Sequence, residues 1–516
     1  MVSSPISTRS IEQTPEARSP LESSYELWGV LAALTVLYVA AVWVANWRFV
    51  WFDELFTFDI AKAKSIPQMW MLIRRFDFQL PAGYVLSRIS MKLFGESKLG
   101  LRFPSMLEFY VASLVLFFYV RRKVGIAYAA AAVLILWMGE TFPYATEARP
   151  YALLMMFFSI LLLCWDVATS AEKRDLALWG AAIANLGMLS AHVLTPLSLL
   201  PFLAAEAVRF RRTRKPDFAL WTALLLPTIS IAFYIPLFRG YAAIYFPSLF
   251  EASWSRIPHF YYDAIDVIGV ALFLAVFAAL LVPQEKSRVT SAPGWRREEL
   301  VLLGCVLLNP ILLNILLMRS HGAFWDRYAI TTEAVMYIGI TILLGLRLGG
   351  NRLAGYTAAA VLLVFCVQAD VWLVVSKPSL QDASVLAPIR RDLPLVAASG
   401  VTFFEMNHHE KPDILSRLYF LKDRSVAMEY THTNLFEDRG FADGMKPYFP
   451  ISAKVASYAD FIHQHHQFLV LGTYDAPEEW LLQKLDVDGA RLTWLGTYQV
   501  PYVDSDLYLV TLTKGD

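Results

Sequence analysis

Long apolar runs separated by short polar connections dominate this chain of 516 residues. A helix that crosses a bilayer needs about 20 mostly apolar residues. Eleven segments approach that length, two of them short (124–139 and 176–190). The sequence therefore predicts a polytopic α-helical membrane protein. Its predicted spans are roughly 27–46, 103–120, 124–139, 150–167, 176–190, 192–208, 217–237, 263–282, 299–318, 328–346 and 354–376.

Composition supports lipid as the surrounding solvent. Apolar residues make up 57% of the chain and charged residues 17%, with a mean hydropathy of +0.46. Soluble domains contain roughly 45–50% apolar and about 25% charged residues. The compositions of disordered, collagen-like and disulfide-rich chains differ further from that of this chain. Lys+Arg and Asp+Glu both number 45. This neutral total argues against a nucleic-acid partner, which usually calls for a basic face.

Basic residues predict the orientation in the membrane. Every second connection is rich in Lys and Arg, and such loops remain on the cytoplasmic side. We therefore expect an integral protein of the plasma or inner membrane, with a cytoplasmic N-terminus and an extracytoplasmic C-terminus. The basic connections are 121–123, 172–175, 209–215, 285–299 and 347–352.

Three regions follow from this orientation. Residues 1–25 are polar and predict a disordered cytoplasmic tail before an uncleaved signal anchor. Residues 26–378 form the membrane domain, whose first external loop (47–102) is too long for a simple connection. Amphipathic patterns at 60–76 and 81–96 predict helices in the interface plane.

Residues 379–516 are ordinary in composition and predict an α/β domain outside the membrane. Alternating and β-branched patterns predict strands at 401–406, 468–474, 491–497 and 507–513. Helical patterns occur at 412–421, 457–466 and 477–485.

Acidic residues follow the first span directly. Asp53 and Glu54 lie where the chain leaves lipid, and a carboxylate there could serve as a general base at the membrane surface. The alternative is that Asp53 caps the following helix. Asp77 and Gln79 precede a Pro-Gly turn and an amphipathic helix, and their structural interpretation is a turn with a helix cap.

Arginines recur at the same predicted face. Arg102, at the mouth of the second span, suits a phosphate contact, or it snorkels to the interface. Glu147 and Arg149 lie in a short external connection and either pair with each other or face a cavity. Arg327 and the adjacent Tyr328 begin the tenth span and could hold an anionic head group.

Independent structural roles would scatter such residues over both faces, so their gathering on one face predicts a single external site. His321 is a weak metal candidate, because a lone histidine provides one ligand only. The other histidines considered, 408–409 and 463–466, are interpreted as surface residues of the α/β domain.

Four segments resemble the signature segments of polytopic GT-C glycosyltransferases. The resemblance is to the group of protein O-mannosyltransferases, aminoarabinose transferases and lipopolysaccharide-core sugar transferases, and it covers about 25–345. Ala82 replaces the second proline of one motif, whereas its acid and tyrosine remain as Asp77 and Tyr84. The segments are WFDE (51–54), DFQLPAGY (77–84), LRFPSML (101–107) and YATEARPYALL (144–154).

This resemblance implies a polyprenyl-phosphate-linked sugar donor and transfer with inversion on the external face. It implies Asp53 as the base, Glu54 as its acidic neighbour and Glu147 as a second acid on the acceptor side. The acceptor could be a lipid, a glycan or a protein, and the sugar is left open. No cofactor is assigned, and a divalent metal is left open. The residues expected to bind donor or acceptor are Asp77, Tyr84, Arg102, Arg149, Tyr151, Arg327 and Tyr328.

Two other classes of protein remain alternatives. A lipid-linked saccharide transporter or flippase is expected to place ionisable residues near mid-membrane, whereas the predicted spans carry few. A receptor or scaffold that binds a partner through its α/β domain leaves the charged loop motifs unexplained.

Overall fold

A computed structural model describes residues 20–170, 173–241, 252–283, 295–320, 322–375, 386–433, 436–437, 441–474, 476–500 and 503–512. Its N-terminal part is helical throughout. The helices are α1 (Pro20–Ala45), α2 (Phe52–Ala61), α3 (Ile66–Leu72), α4 (Pro81–Phe94), α5 (Lys98–Val124), α6 (Ile126–Met138), α7 (Tyr151–Thr169), α8 (Arg174–Leu189), α9 (Pro196–Thr213), α10 (Phe218–Leu225), α11 (Ile231–Tyr241), α12 (Arg256–Leu281), α13 (Arg297–Arg319), α14 (Ile330–Arg347) and α15 (Arg352–Val375).

All eleven predicted spans coincide with helical segments. Within the described residues, eight segments are long and apolar enough to cross a membrane; one of them runs from α10 through α11. The remaining three predicted spans are α6, α8 and α9, and α6 has only 13 residues. The polytopic architecture is therefore confirmed, whereas the count of eleven stays a prediction.

Two helices begin earlier than their sequence patterns indicated. α1 starts at Pro20, inside the predicted tail, because proline is favoured in the first turn of a helix; residues 1–19 lie outside the described residues. α5 starts at Lys98, because the Ser97 hydroxyl accepts the N–H of Gly100 at 3.1 Å. Arg102 consequently lies inside a helix rather than at its mouth.

The first loop folds into three helices. The amphipathic pattern at 81–96 corresponds to α4, whereas that at 60–76 spans the end of α2, the whole of α3 and the turn after it. That these helices lie in the interface plane stays a prediction. A single π-helical turn, Ile73–Asp77, follows α3 and ends at Phe78, whose φ of +60° lies in the left-handed region. This turn places Asp77 before α4, which packs against α2 and α5.

Charged side chains tie the helices together at the end of the bundle that holds the C-terminus of α5, here called the basic end. Asp166 of α7 contacts Arg122 at 3.0 Å, Lys123 at 2.9 Å and Arg296 at 2.8 Å. Lys123 also contacts Glu299 of α13 at 2.6 Å. Parts of the predicted basic connections therefore meet at one end, although the side of the membrane that they face stays a prediction.

The C-terminal part is an α/β domain, as predicted. Its elements are β1 (Leu395–Ala397), α16 (Gly400–His409), α17 (Pro412–Leu415), β2 (Leu418–Lys422), α18 (Arg424–Tyr430), β3 (Lys454–Ser457), α19 (Tyr458–Gln464), β4 (Gln467–Gly472), α20 (Leu481–Val487), β5 (Arg491–Val500) and β6 (Val503–Thr511). The six strands form one sheet in the order β3-β2-β1-β4-β6-β5. β3, β2, β1 and β4 pair in parallel, whereas β6 pairs antiparallel with both β4 and β5.

Two secondary-structure predictions in this domain were wrong. Residues 401–406, predicted as a strand, belong to α16, because the Ser399 hydroxyl caps the N–H of Val401 and starts a buried helix. A short apolar run does not by itself distinguish a buried helix from a strand. Residues 412–421, predicted as a helix, split into the one-turn α17 and the central strand β2.

The basic-end network yields a test of stability. Asp166→Ala leaves three cations without their shared carboxylate, and we expect it to destabilise the protein by about 3–5 kcal/mol. Asp392→Ala removes a carboxylate whose pair with Arg390 is exposed, so the unfolding midpoint of this variant should stay close to that of the parent. Thermal unfolding of both variants in detergent checks this; equal midpoints would contradict it.

Candidate active site

A buried ion pair lies at the centre of the site. Arg102 Nε donates to Glu54 Oε1 at 2.8 Å, and Arg102 Nη2 donates to Glu54 Oε2 at 2.5 Å. Both side chains are 0% exposed. A bidentate arginine–carboxylate contact of this kind fixes orientation as well as distance.

The same pair joins three segments of the chain. Arg102 also donates to the carbonyls of Arg48 at 3.0 Å and Phe49 at 2.6 Å, just after α1. Glu54 Oε1 accepts the N–H of Ala148 at 2.8 Å, in the connection before α7. Both charges are thus engaged by the protein itself, whereas the sequence predicts Glu54 as a catalytic acid and Arg102 as a phosphate ligand.

Asp53 lies beside this pair on the first turn of α2. Its side chain is 18% exposed, and its Oδ2 lies 3.3 Å from Arg327 Nη2 and 3.9 Å from Arg149 Nε. Its backbone carbonyl accepts from Arg149 Nη1 at 3.1 Å. Asp53 is therefore a partly accessible carboxylate between two guanidinium groups.

Asp77 orients Arg149. Arg149 Nη1 and Nη2 donate to the two Asp77 oxygens at 2.8 and 3.3 Å, and the Tyr84 hydroxyl donates to Asp77 Oδ2. Burial alone would lower the pKa of Arg149, but Asp77 and Asp53 raise it well above its ordinary value. Arg149 thus pairs with Asp77 rather than with Glu147, and remains cationic.

Aromatic rings surround Arg327. Its guanidinium carbon lies 5.6 Å from the ring centre of Trp51, 5.5 Å from that of Tyr151 and 5.2 Å from that of Trp325. Cation–π attraction is strong where water is excluded. The rings and Asp53 together hold this arginine at the start of α14.

His192, in the turn between α8 and α9, was not among the predicted site residues. Its ring centre lies 5.5 Å from that of Tyr151 and 5.2 Å from that of Tyr328. Burial, together with Arg149 and Arg327, lowers the pKa of His192 to about 3, so the ring is neutral. Its Nδ1 accepts the N–H of Leu194 at 3.3 Å, which places the ring proton on Nε2.

Several polar atoms of the site are buried without a hydrogen-bond partner among the described residues. Such atoms are rare in proteins, and each calls for a physical explanation. Here both donors and acceptors occur among the residues of the site, as a ligand with several oxygen atoms would require. They are Gln79 Oε1, Glu147 Oε1, Arg149 Nε, His192 Nε2 and Arg327 Nε.

No three His, Cys, Asp or Glu side chains in the described ranges lie close enough together to hold a metal ion. The weak candidate His321 falls outside the described residues.

Comparison with known proteins identifies the fold. The family model for dolichyl-phosphate-mannose-protein mannosyltransferase matches residues 80–234. The crystal structure of ArnT from Cupriavidus metallidurans bound to undecaprenyl phosphate aligns over 94% of this chain and 98% of that one, with a TM-score of 0.52 and 14% identity. The chain has an ArnT-like fold.

The apo structure of the same ArnT gives a similar alignment. It covers 95% of this chain and 98% of that one, with a TM-score of 0.53 and 13% identity. No curated protein sequence matches. The predicted resemblance to this GT-C group is thus confirmed at the level of fold, and the matched segment includes Arg102, Glu147 and Arg149 but not Asp53 or Arg327.

Glu147 yields a pH-dependent test. Burial, reinforced by the carboxylates of Glu54 and Asp53, raises its pKa from 4.5 to about 7. The folded protein therefore binds this proton more tightly than the unfolded chain does. The stability that it contributes is complete below about pH 4.5 and is lost as the pH rises through 7.

Glu147→Gln mimics the protonated form, so we expect it to flatten this decline. At pH 8 the free energy of unfolding of the variant should exceed that of the parent by up to about 3 kcal/mol, and the two free energies should converge near pH 5. Glu96→Gln, at a carboxyl exposed to 59%, should follow the parent. Unfolding midpoints across this pH range decide the question, and parallel curves for Glu147→Gln and the parent would contradict it.

Proposed function

We propose that this protein is a membrane glycosyltransferase that moves a sugar from a polyprenyl-phosphate-linked donor to an acceptor hydroxyl on the external face, with inversion. The observation that carries the proposal is Asp53 held between Arg149 and Arg327, whose buried Nε atoms lack hydrogen-bond partners among the described residues. The GT-C fold and the partial family match support the same class of reaction.

In this proposal Asp53 is the general base. It takes the proton of the acceptor hydroxyl while that oxygen forms a bond to the anomeric carbon. The bond between the anomeric carbon and the phosphate oxygen breaks, and the electron pair leaves with the polyprenyl phosphate. Attack from the face opposite the phosphate inverts the anomeric centre. Positioning and charge stabilisation provide most of the acceleration in such a displacement.

Arg327 is the main phosphate ligand in this scheme. Within the part of the chain that the structure describes, its Nε has no hydrogen-bond partner, and its Nη2 contacts Asp53 at 3.3 Å. A donor phosphate would compete with Asp53 for the same guanidinium, so donor binding would release the carboxylate for the acceptor. Arg149, fixed by Asp77, adds a second cation, and its Nε has no hydrogen-bond partner among the described residues.

The remaining polar groups suit the hydroxyls of a sugar or an acceptor. Glu147 Oε1 can accept a hydrogen bond, and the protonated Nε2 of His192 can donate one. We assign Glu147 to the acceptor side. Glu54 and Arg102 serve as positioning residues, because their pair fixes the chain on either side of Asp53.

An apolar groove between α1 and α5 provides a place for the polyprenyl chain. It measures about 270 Å³ and ends near Asn46, whose side-chain oxygen lies 3.4 Å from Arg102 Nη1. Tyr38, Trp43 and Phe103 are among its lining residues. An isoprenoid chain in this groove would keep its phosphate at the level of the site.

A transporter or flippase fits less well. Such a protein needs a polar path between the two membrane faces. Phe158, Leu161 and Phe202 are fully buried in α7 and α9, between Tyr151 at the site and Asp166 at the basic end. These side chains interrupt a polar path along the two helices.

The proposal is tested by mass spectrometry of cell-envelope lipids, glycans and glycoproteins with and without the gene. Deletion should remove one sugar modification, and the parent gene should restore it. Asp53→Asn should not restore it despite normal membrane insertion, because the base is lost.

Asp59→Asn is the matched control on the same helix. Burial raises the pKa of Asp59 to about 7, so the amide resembles its protonated form, and this variant should restore the modification. An active Asp53→Asn variant would overturn the assignment of the base. An unchanged envelope after deletion would overturn the proposed function.

A further inference from the structure

The α/β domain contacts the chain directly beside Asp53. Glu405 of α16 accepts the backbone N–H of Phe52 on its Oε1 at 2.8 Å. Phe52 is the first residue of α2, and Asp53 is the second. A residue more than 350 positions away thus holds the backbone at the proposed base.

This hydrogen bond completes a partial local cap. The first N–H groups of a helix have no partner within the helix and normally donate to a nearby side-chain oxygen. Among these N–H groups at the start of α2, Glu54 Oε2 accepts only that of Trp51, the N-cap residue, at 3.4 Å. Glu405 provides the acceptor for the next N–H, that of Phe52, from another domain.

Further contacts hold the same segment from the same helix. His409 Nε2 lies 2.7 Å from the carbonyl oxygen of Val50. The ring of Phe404 stacks on that of Phe56 at 5.1 Å and meets Phe52 edge-on at 5.8 Å. α16 therefore contacts the chain before and after Asp53, and Glu405 itself is only 4% exposed.

We infer that the α/β domain positions the proposed base, with Glu405 as the positioning residue that fixes the first turn of α2. The inference rests on the proposed function. It gives the domain a part in the transfer step without any contact to the sugar. Displacement of a reacting group by about 1 Å can cost up to 100-fold in rate, so this anchor should affect turnover rather than donor binding.

Three variants separate positioning from folding. Glu405→Ala removes the acceptor. Glu405→Gln keeps an oxygen that can accept from Phe52, and because burial raises the pKa of Glu405 to about 7, the amide is a conservative replacement. Glu479→Ala is the matched control, since Glu479 is 5% exposed in the same domain and accepts the N–H of Thr473 at 2.6 Å, away from α2.

Transfer kinetics of the purified full-length protein provide the first readout. Glu405→Ala should lower kcat about tenfold or more with little change in KM for the donor, whereas Glu405→Gln and Glu479→Ala should stay within about twofold of the parent. The inference is overturned if Glu405→Ala keeps the parent kcat, if Glu479→Ala lowers it equally, or if Glu405→Gln fails to rescue.

Hydrogen exchange of residues 50–56 provides a second readout that does not depend on activity. Exchange there should accelerate at least about tenfold in Glu405→Ala but not in Glu405→Gln or Glu479→Ala. Unchanged exchange in Glu405→Ala overturns the inference. If the parent transfers no sugar, the proposed function fails, and the anchoring of α2 by Glu405 is judged on exchange alone.

Discussion

The pair of Glu54 and Arg102 is the contact on which the arrangement of the site depends. Two fully buried charges are costly to remove from water, and they are stable here because each has further hydrogen-bonding partners. Those partners belong to the chain after α1 and the connection before α7. The pair consequently fixes the first loop against the helical bundle. Because Glu54 is held in place, the adjacent Asp53 is positioned as well.

The two ends of the bundle use charge differently. At the basic end, Asp166 is surrounded by three cations, and this arrangement joins α5, α7 and α13. At the site, Arg149 and Arg327 retain Nε atoms without hydrogen-bond partners. Satisfied pairs stabilise a fold, whereas unsatisfied buried donors cost stability unless a ligand engages them. Glu299 Oε2 at the basic end also lacks a hydrogen-bond partner among the described residues, so the clearer difference is exposure: the side chain of Asp53 is 18% exposed between two guanidinium groups, whereas that of Asp166 is 2% exposed.

Much of this organisation could be predicted from the sequence, because run length, loop charge and local motifs are local properties. The eleven helical segments, the two loop helices and the gathering of Asp53, Arg149 and Arg327 were all accessible in that way. The pairing of Glu54 with Arg102 was not, because the motifs gather acids and arginines on one face without indicating which of them contact each other. His192 looked like the polar first residue of a span, and residues 401–406 carry an apolar run that suits either a strand or a buried helix.

The central claim is that the arginines around Asp53 bind the phosphate of a polyprenyl carrier. The most direct measurement is the affinity of purified protein in nanodiscs for a polyprenyl phosphate, determined by native mass spectrometry. Arg327→Gln should weaken binding by roughly ten- to a hundredfold, as expected for a lost charge-assisted hydrogen bond. Arg352→Gln, at a 63%-exposed side chain paired with Glu26, should leave it unchanged. Equal affinity of the parent and Arg327→Gln would contradict the claim.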